Sequence, residues 1–128
     1  MKLLLDTHIV IWAIMDDPRL TKTARAFIDE NADECFFSAA SVWEASIKNS
    51  VPKRTLGISG ENFTKEAMKM GMRNMDVTIE HAELVETLPY YHADPFDRML
   101  VAQAIAEGCI LVTHDDNIAK YGAFVRRV

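Results

Sequence analysis

Short, wholly apolar runs alternate along this chain with longer stretches in which apolar residues recur every three or four positions. Residues 2–5, Lys-Leu-Leu-Leu, are too short and too apolar for a half-exposed strand and read as one buried on both faces. The run stops at Asp6, and Thr7–Met15 continues as a helix or helical turn. Thr21 is placed to cap a helix over residues 22–31, whose Ala24, Phe27 and Ile28 share one face. Residues 34–38 form a second strand, after which Ser38 or Ser41 caps a helix that runs to about Asn49. Residues 51–58, with Pro52 and Gly57, make a loop. Ser59 opens a further helix with Phe63, Ala67 and Met70 at helical spacing, and residues 75–79 give a third strand followed by a helix to about Leu88. Asp94-Pro95-Phe96-Asp97 marks a helix start: an acidic cap, proline at the first helical position and an acid two residues later. That helix reaches Glu107 and stops at Gly108, with residues 110–113 a fourth strand, 117–120 a short helix and 124–126 a last strand.

Leucine-rich and β-branched strands alternating with helices define an α/β domain whose sheet is mainly parallel, of four to five strands, and flanked by helices on both faces. The strand order does not follow from the sequence, although right-handed crossovers limit it. At 128 residues, with 49% hydrophobic and 26% charged positions, the chain is expected to be one domain over residues 1–128 with a sizeable core. No apolar run approaches the ~20 residues of a membrane span, and the amino terminus has no secretory pattern. Cys35 and Cys109 lie in apolar stretches without metal-ligand spacing and are expected as reduced core residues of a cytoplasmic protein. A net charge of −5 excludes a protein that coats duplex DNA with a cationic face, but leaves room for an enzyme that meets nucleic acid through metal ions.

The acids decide what chemistry is available. In an open parallel sheet, ligands bind beyond the carboxyl ends of the strands. Asp6 ends the first strand, Asp115 follows the fourth by two residues, Asp97 is in the first turn of its helix, and Glu44 is in the helix after the second strand. Each except Asp6 also has an ordinary explanation. Asp97 complements a helix dipole, Glu44 is four residues from Lys48 in a helical ion pair, and Asp115 and Asp116 suit a turn and cap. Asp94 is a cap on any reading. If the four acids meet, their mutual repulsion requires shared protons or divalent cations. Oxygen ligands without a Cys or His cluster suit Mg²⁺ or Mn²⁺ rather than zinc.

Four segments carry a family likeness: Leu-Leu-Leu-Asp6-Thr7-His8, Ser41-Val42-Trp43-Glu44-Ala45-Ser46-Ile47-Lys48, Asp94-Pro95-Phe96-Asp97-Arg98-Met99-Leu100-Val101-Ala102-Gln103-Ala104, and Leu111-Val112-Thr113-His114-Asp115. In that order they resemble the PIN-domain family and, within it, the VapC toxins of bacterial type II toxin–antitoxin pairs. The Asp-Pro-Phe-Asp-Arg helix start is the most specific of them. The resemblance implies a PIN-like three-layer sandwich and a divalent-metal-dependent endoribonuclease using Mg²⁺ or Mn²⁺, restrained by a cognate VapB-like antitoxin. It further implies homodimers, or a larger toxin–antitoxin assembly. Asp6, Glu44, Asp97 and Asp115 match the acidic quartet, with Asp6 and Asp97 as principal metal ligands and Glu44 and Asp115 acting directly or through water. Asp115 is taken over Asp116 by the family's Thr-x-Asp spacing. Thr7 and Thr113 match hydroxyl positions that orient a ligand, water or carboxylate. The implied reaction is in-line attack on an RNA phosphodiester by metal-activated water, leaving a 5′-phosphate and a 3′-hydroxyl.

Arg98, Lys48, Lys53 and Arg54 are candidates for contact with the RNA backbone, each equally readable as an ordinary surface cation, and His114 is a candidate phosphate contact that reads more readily as a surface residue. Trp12 and Trp43 are expected in the core rather than as base-stacking platforms. Met68 and Met72, spaced i, i+4 near Met70 and Met75, read as an apolar stripe for a partner or as core filling. His8 and His92 are explained by packing or exposure as well as by a metal-free acid–base pair. The competing functions are a catalytically silent PIN-type module that binds RNA or protein, and an aspartyl-nucleophile phosphatase. The silent module gives no reason to keep four acids together. The phosphatase wants an acid two residues after the nucleophile, where this chain has His8.

Overall fold

The computed structural model describes residues 1–128 as a three-layer α/β sandwich. The sheet comprises β1 (Leu3–Leu5), β2 (Cys35–Ser38), β3 (Arg73–Met75), β4 (Ile110–Thr113) and β5 (Val125–Arg127). Its order is β3-β2-β1-β4-β5, and every neighbouring pair is parallel. The helices are α1 (Thr7–Met15), α2 (Lys22–Glu30), α3 (Ala39–Asn49), α4 (Gly60–Lys69), α5 (Ile79–Leu84), α6 (Pro95–Glu107) and α7 (Asp116–Ala119).

Alternation along the strands divides the core in two. Leu3 and Leu5 pack with Ile9, Val10, Phe37, Ala45, Phe63 and Ala67 beneath α1 to α4. Leu4 and Leu111 point to the other face, against Leu100, Val101, Ala104 and Ile118 of α6 and α7. Both faces are therefore covered, which is why β1 contains only leucine. Cys35 and Cys109 are free and buried, as their apolar surroundings suggested. Gly108 ends α6 at φ 67°, a left-handed conformation that glycine adopts without a Cβ clash. No helix is long and apolar enough to cross a membrane.

The third strand differs from expectation. It occupies Arg73–Met75 rather than residues 75–79, and Ile79 begins α5. Thr78 leaves the sheet because it caps α5: its hydroxyl accepts the His81 N–H at 3.2 Å, while His81 Nδ1 accepts the Thr78 N–H at 3.0 Å. Histidine here takes the place of the usual Glu or Gln in a reciprocal capping box. Ser38, not Ser41, caps α3.

The methionine stripe does not form either. α4 ends at Lys69, so Met72 lies beyond it and is buried in the core, whereas Met68 remains exposed.

Candidate active site

The chain leaves β1 toward β2 on one side and reaches β4 on the other, so the carboxyl ends of β1 and β4 flank the point where the topology reverses. Crevices for ligands open at such points. Asp6 follows β1 directly, and its backbone N–H bonds the Val112 carbonyl of β4 at 3.0 Å. Its side chain caps α1, Oδ1 accepting the Ile9 N–H at 3.0 Å, and Oδ2 accepts the Thr113 hydroxyl. Thr113 also accepts the Asp115 N–H at 3.0 Å, so one hydroxyl couples the two strand ends. Asp115 caps α7 through Oδ1, which accepts from Asn117 and Ile118. Asp94 caps α6 through Oδ1, taking the Phe96 and Asp97 N–H groups. This leaves the Asp97 side chain free to turn outward.

Asp6, Asp97 and Asp115 line one open cleft of about 360 Å³ together with His8, Trp12, Arg19 and His114. Glu44 does not line it. Its side chain is buried, with Lys48 Nζ 2.6 Å from Oε2 and no partner for Oε1. Its charge nonetheless acts on Asp97. Burial pushes the Asp97 carboxyl up to about 7, helped by the charges of Asp94, Asp6 and Glu44 and opposed by His92. Burial also raises Asp6, against the hydrogen bonds from Thr113 and Ile9. At Asp115 partial burial is outweighed by hydrogen bonds from Ile118, His92 and Asn117, so its carboxyl is held below the usual range.

Two proton-hungry aspartates and a third held ionised line the cleft, and the buried Glu44 beyond it leaves one oxygen without a partner. The donors are hard oxygens from separate elements. That set fits a Mg²⁺- or Mn²⁺-sized cation better than a soft metal.

Other expected site residues lie elsewhere. Thr7 is buried and donates to Ser41 Oγ at 2.8 Å, tying α1 to α3 rather than facing the cleft. Lys48 is engaged by Glu44. The expectation of Arg98 as an RNA contact is corrected, since only 8% of it is exposed. Its guanidinium donates to the carbonyls of Val85 and Pro89 and to the Tyr121 hydroxyl. Lys53 and Arg54 are exposed in the 51–58 loop and do not line the cleft. Asp116 turns away to pair with Arg127. His114 lines the cleft, its Nδ1 2.6 Å from the Val128 carbonyl and its ring edge-on to Trp12. Trp12 is buried as expected, but Trp43 is 62% exposed. Trp43 packs edge-on to Phe96 over an apolar groove of about 440 Å³ between α3, α5 and α6.

Two residues of the site carried no decisive signal in the sequence. Arg19, just after Pro18, stacks 5.1 Å over Trp12 and pairs with Asp17 at 2.7 Å. His92, two residues before the Asp94 cap, has Nε2 3.1 Å from both Asp97 Oδ2 and Asp115 Oδ2.

Fold and cleft together define an α/β protein with an acidic crevice at the topological switch of a parallel sheet. A family model for the PIN domain matches residues 3–123, and the chain belongs to that family. Ribonuclease VapC22 of Mycobacterium tuberculosis is 29% identical over 119 residues, which span 92% of this chain and 90% of that protein. Two solved structures share the fold. VapBC2 from Rickettsia felis, bound to a DNA fragment from its promoter, superposes with a TM-score of 0.70 at 16% identity, over 99% of this chain and 98% of that one. DNA-bound VapBC from Salmonella typhimurium gives 0.71 at 17% identity, over 100% and 97%.

Proposed function

We propose that this protein is a VapC-type toxin, an endoribonuclease that hydrolyses RNA phosphodiester bonds with Mg²⁺ or Mn²⁺ and is held inactive by a VapB-like antitoxin. The observation that carries this reading is the convergence of Asp6, Asp97 and Asp115 on one cleft, with Glu44 close enough to act on Asp97. A relative named as a ribonuclease and fold neighbours solved as VapBC complexes support it.

Asp6 and Asp97 are the principal cation ligands in this reading, Asp115 holds the cation directly or through water, and Glu44, outside the cleft, acts through its charge on Asp97. A divalent cation bound there supplies a lowered water pKa and relief of charge on the phosphate oxygens. Hydrolysis adds water to phosphorus, breaks the bond to O3′ and returns a proton to it, leaving a 5′-phosphate and a 3′-hydroxyl. Thr113 fixes the Asp6 carboxylate, and the α1 cap fixes its other oxygen, so that ligand is set before substrate arrives. Arg19, His8 and His114 border the acids and offer donors to the RNA backbone. The apolar groove beneath Trp43 is the kind of surface that a protein partner covers.

The test is cleavage of single-stranded RNA with Mg²⁺ or Mn²⁺, before and after EDTA. EDTA abolishes cleavage and added Mn²⁺ restores it, while Asp6→Asn and Asp97→Asn each reduce it at least about a hundredfold. Expression of the wild type arrests growth, and Asp6→Asn relieves the arrest. Cleavage that survives both chelation and the substitutions ends the proposal.

A further inference from the structure

His92 belongs to neither the acidic quartet nor the RNA-facing rim, yet its ring stands between two of the acids. Its Nε2, Asp97 and Asp115 each offer an atom to a cluster whose members all lie within 4.8 Å of one another. The direction of a second hydrogen bond determines what the ring can do. The Asp94 backbone N–H donates to His92 Nδ1 at 3.0 Å. An amide nitrogen cannot accept, so Nδ1 carries the lone pair and the hydrogen of the neutral ring is on Nε2. That hydrogen is bonded to Asp115 Oδ2 at 3.1 Å, with Asp97 Oδ2 equally distant from the same nitrogen. A metal-ligating histidine has the reverse arrangement, its far nitrogen donating to a carbonyl or carboxylate.

The loop that carries the ring is itself fixed. The His92 N–H donates to the Tyr121 hydroxyl at 3.2 Å, and Arg98 bonds that same hydroxyl and the Pro89 carbonyl.

We propose that His92 is a positioning residue, an N–H donor that holds the Asp115 carboxylate beside Asp97 so that their remaining oxygens converge on the cation; it rests on the cation reading above. It links the first turn of α6 to the start of α7 through one side chain. Without it, Asp115 keeps only the α7 cap bonds to Oδ1, and its Oδ2 loses the one partner that holds it beside Asp97.

Mn²⁺ binding followed by electron paramagnetic resonance tests this without RNA. His92→Ala weakens Mn²⁺ binding about tenfold or more, the range in which orienting partners of metal ligands act. His92→Gln, whose amide N–H reaches the Nε2 position, recovers most of that loss. Imidazole ¹⁵N spectra of the wild type in EDTA show Nε2 protonated and Nδ1 bare, and Mg²⁺ shifts the Nε2 resonance without removing its proton. These spectra decide the matter if His92→Ala does not fold. Loss of the Nε2 proton on adding Mg²⁺ makes His92 a ligand and overturns the proposal. So does a His92→Ala affinity within about twofold of a wild type that binds Mn²⁺, well short of the expected range. A wild type that binds no Mn²⁺ overturns the cation reading and this one with it.

Discussion

Asp97 sits in the first turn of α6, where Asp94 and Asp6 add their charges to the penalty of burial. In the unfolded chain its carboxyl titrates near ~4, whereas in the fold it is pushed up to about 7. The folded state therefore binds this proton more tightly than the unfolded state. Its contribution to stability is complete below ~4 and is lost as pH rises through about 7. Asp97→Asn removes that loss. In EDTA the variant melts above the wild type at pH 8, and the gap narrows at pH 5; scanning fluorimetry in paired buffers checks it. Mg²⁺ narrows the gap at pH 8 by stabilising the wild type. An equal gap at both pH values shows that Asp97 is not the titrating group. The sequence marks Asp97 by its place after Asp-Pro-Phe, but a dipole role and a ligand role look alike there. What separates them is proximity to Asp6 and Glu44, which the chain order conceals. Asp116 illustrates the converse: next to Asp115 in sequence, it is turned by α7 toward Arg127.

At the scale of the element, caps were the most legible feature, because their chemistry is local. Thr21, Ser59, Asp94 and the Gly108 stop all fall where residue type and spacing put them. The β3 boundary was not legible, since the Thr78–His81 box uses a residue outside the usual capping set. Trp43 was misread because α3 is covered on the side of Ser41 and Ala45 and opens to the groove on the side of Ala39 and Trp43. Arg98 was misread for a related reason: next to Asp97 it reads as a surface cation, but the segment after α5 folds back over it. Its planar fork reaches Val85, Pro89 and Tyr121 at 3.0 to 3.2 Å and stacks 4.8 Å from the Tyr90 ring. Lysine keeps the charge and loses the fork. Arg98→Lys is expected to cost about 1–3 kcal/mol in chemical denaturation. Its amide exchange accelerates in residues 85–92 while β1 and β4 stay protected. A uniform acceleration across the sheet shows a general core defect instead.

For the whole molecule, the order β3-β2-β1-β4-β5 is what gathers residues 6, 97 and 115 at one opening, and no local pattern encodes it. The parallel, doubly covered sheet was legible from wholly apolar strands, while the position of the switch between β1 and β4 was not. In the proposed reading this arrangement also governs how an acidic protein meets RNA. The chain carries −5 overall, and Arg19 is the sole lysine or arginine lining the cleft. Lys48 and Arg98, the nearest alternatives in the motifs, are engaged with Glu44 and with buried carbonyls. In that reading few phosphates are then neutralised by side chains, and most of the attraction is focused at the acids through the cation. Binding of single strands loses affinity with salt at about 0.7 log units per neutralised phosphate per log unit of salt. For one or two such contacts, log kcat/KM against log salt at fixed Mg²⁺ falls with a slope of about −1. Arg19→Ala is expected to flatten that slope and raise KM while leaving kcat nearly unchanged, if the guanidinium serves as the proposed donor to the RNA backbone away from the reacting phosphate. A slope near −5 in the isolated protein requires an extended basic track, and the lining of the cleft provides none.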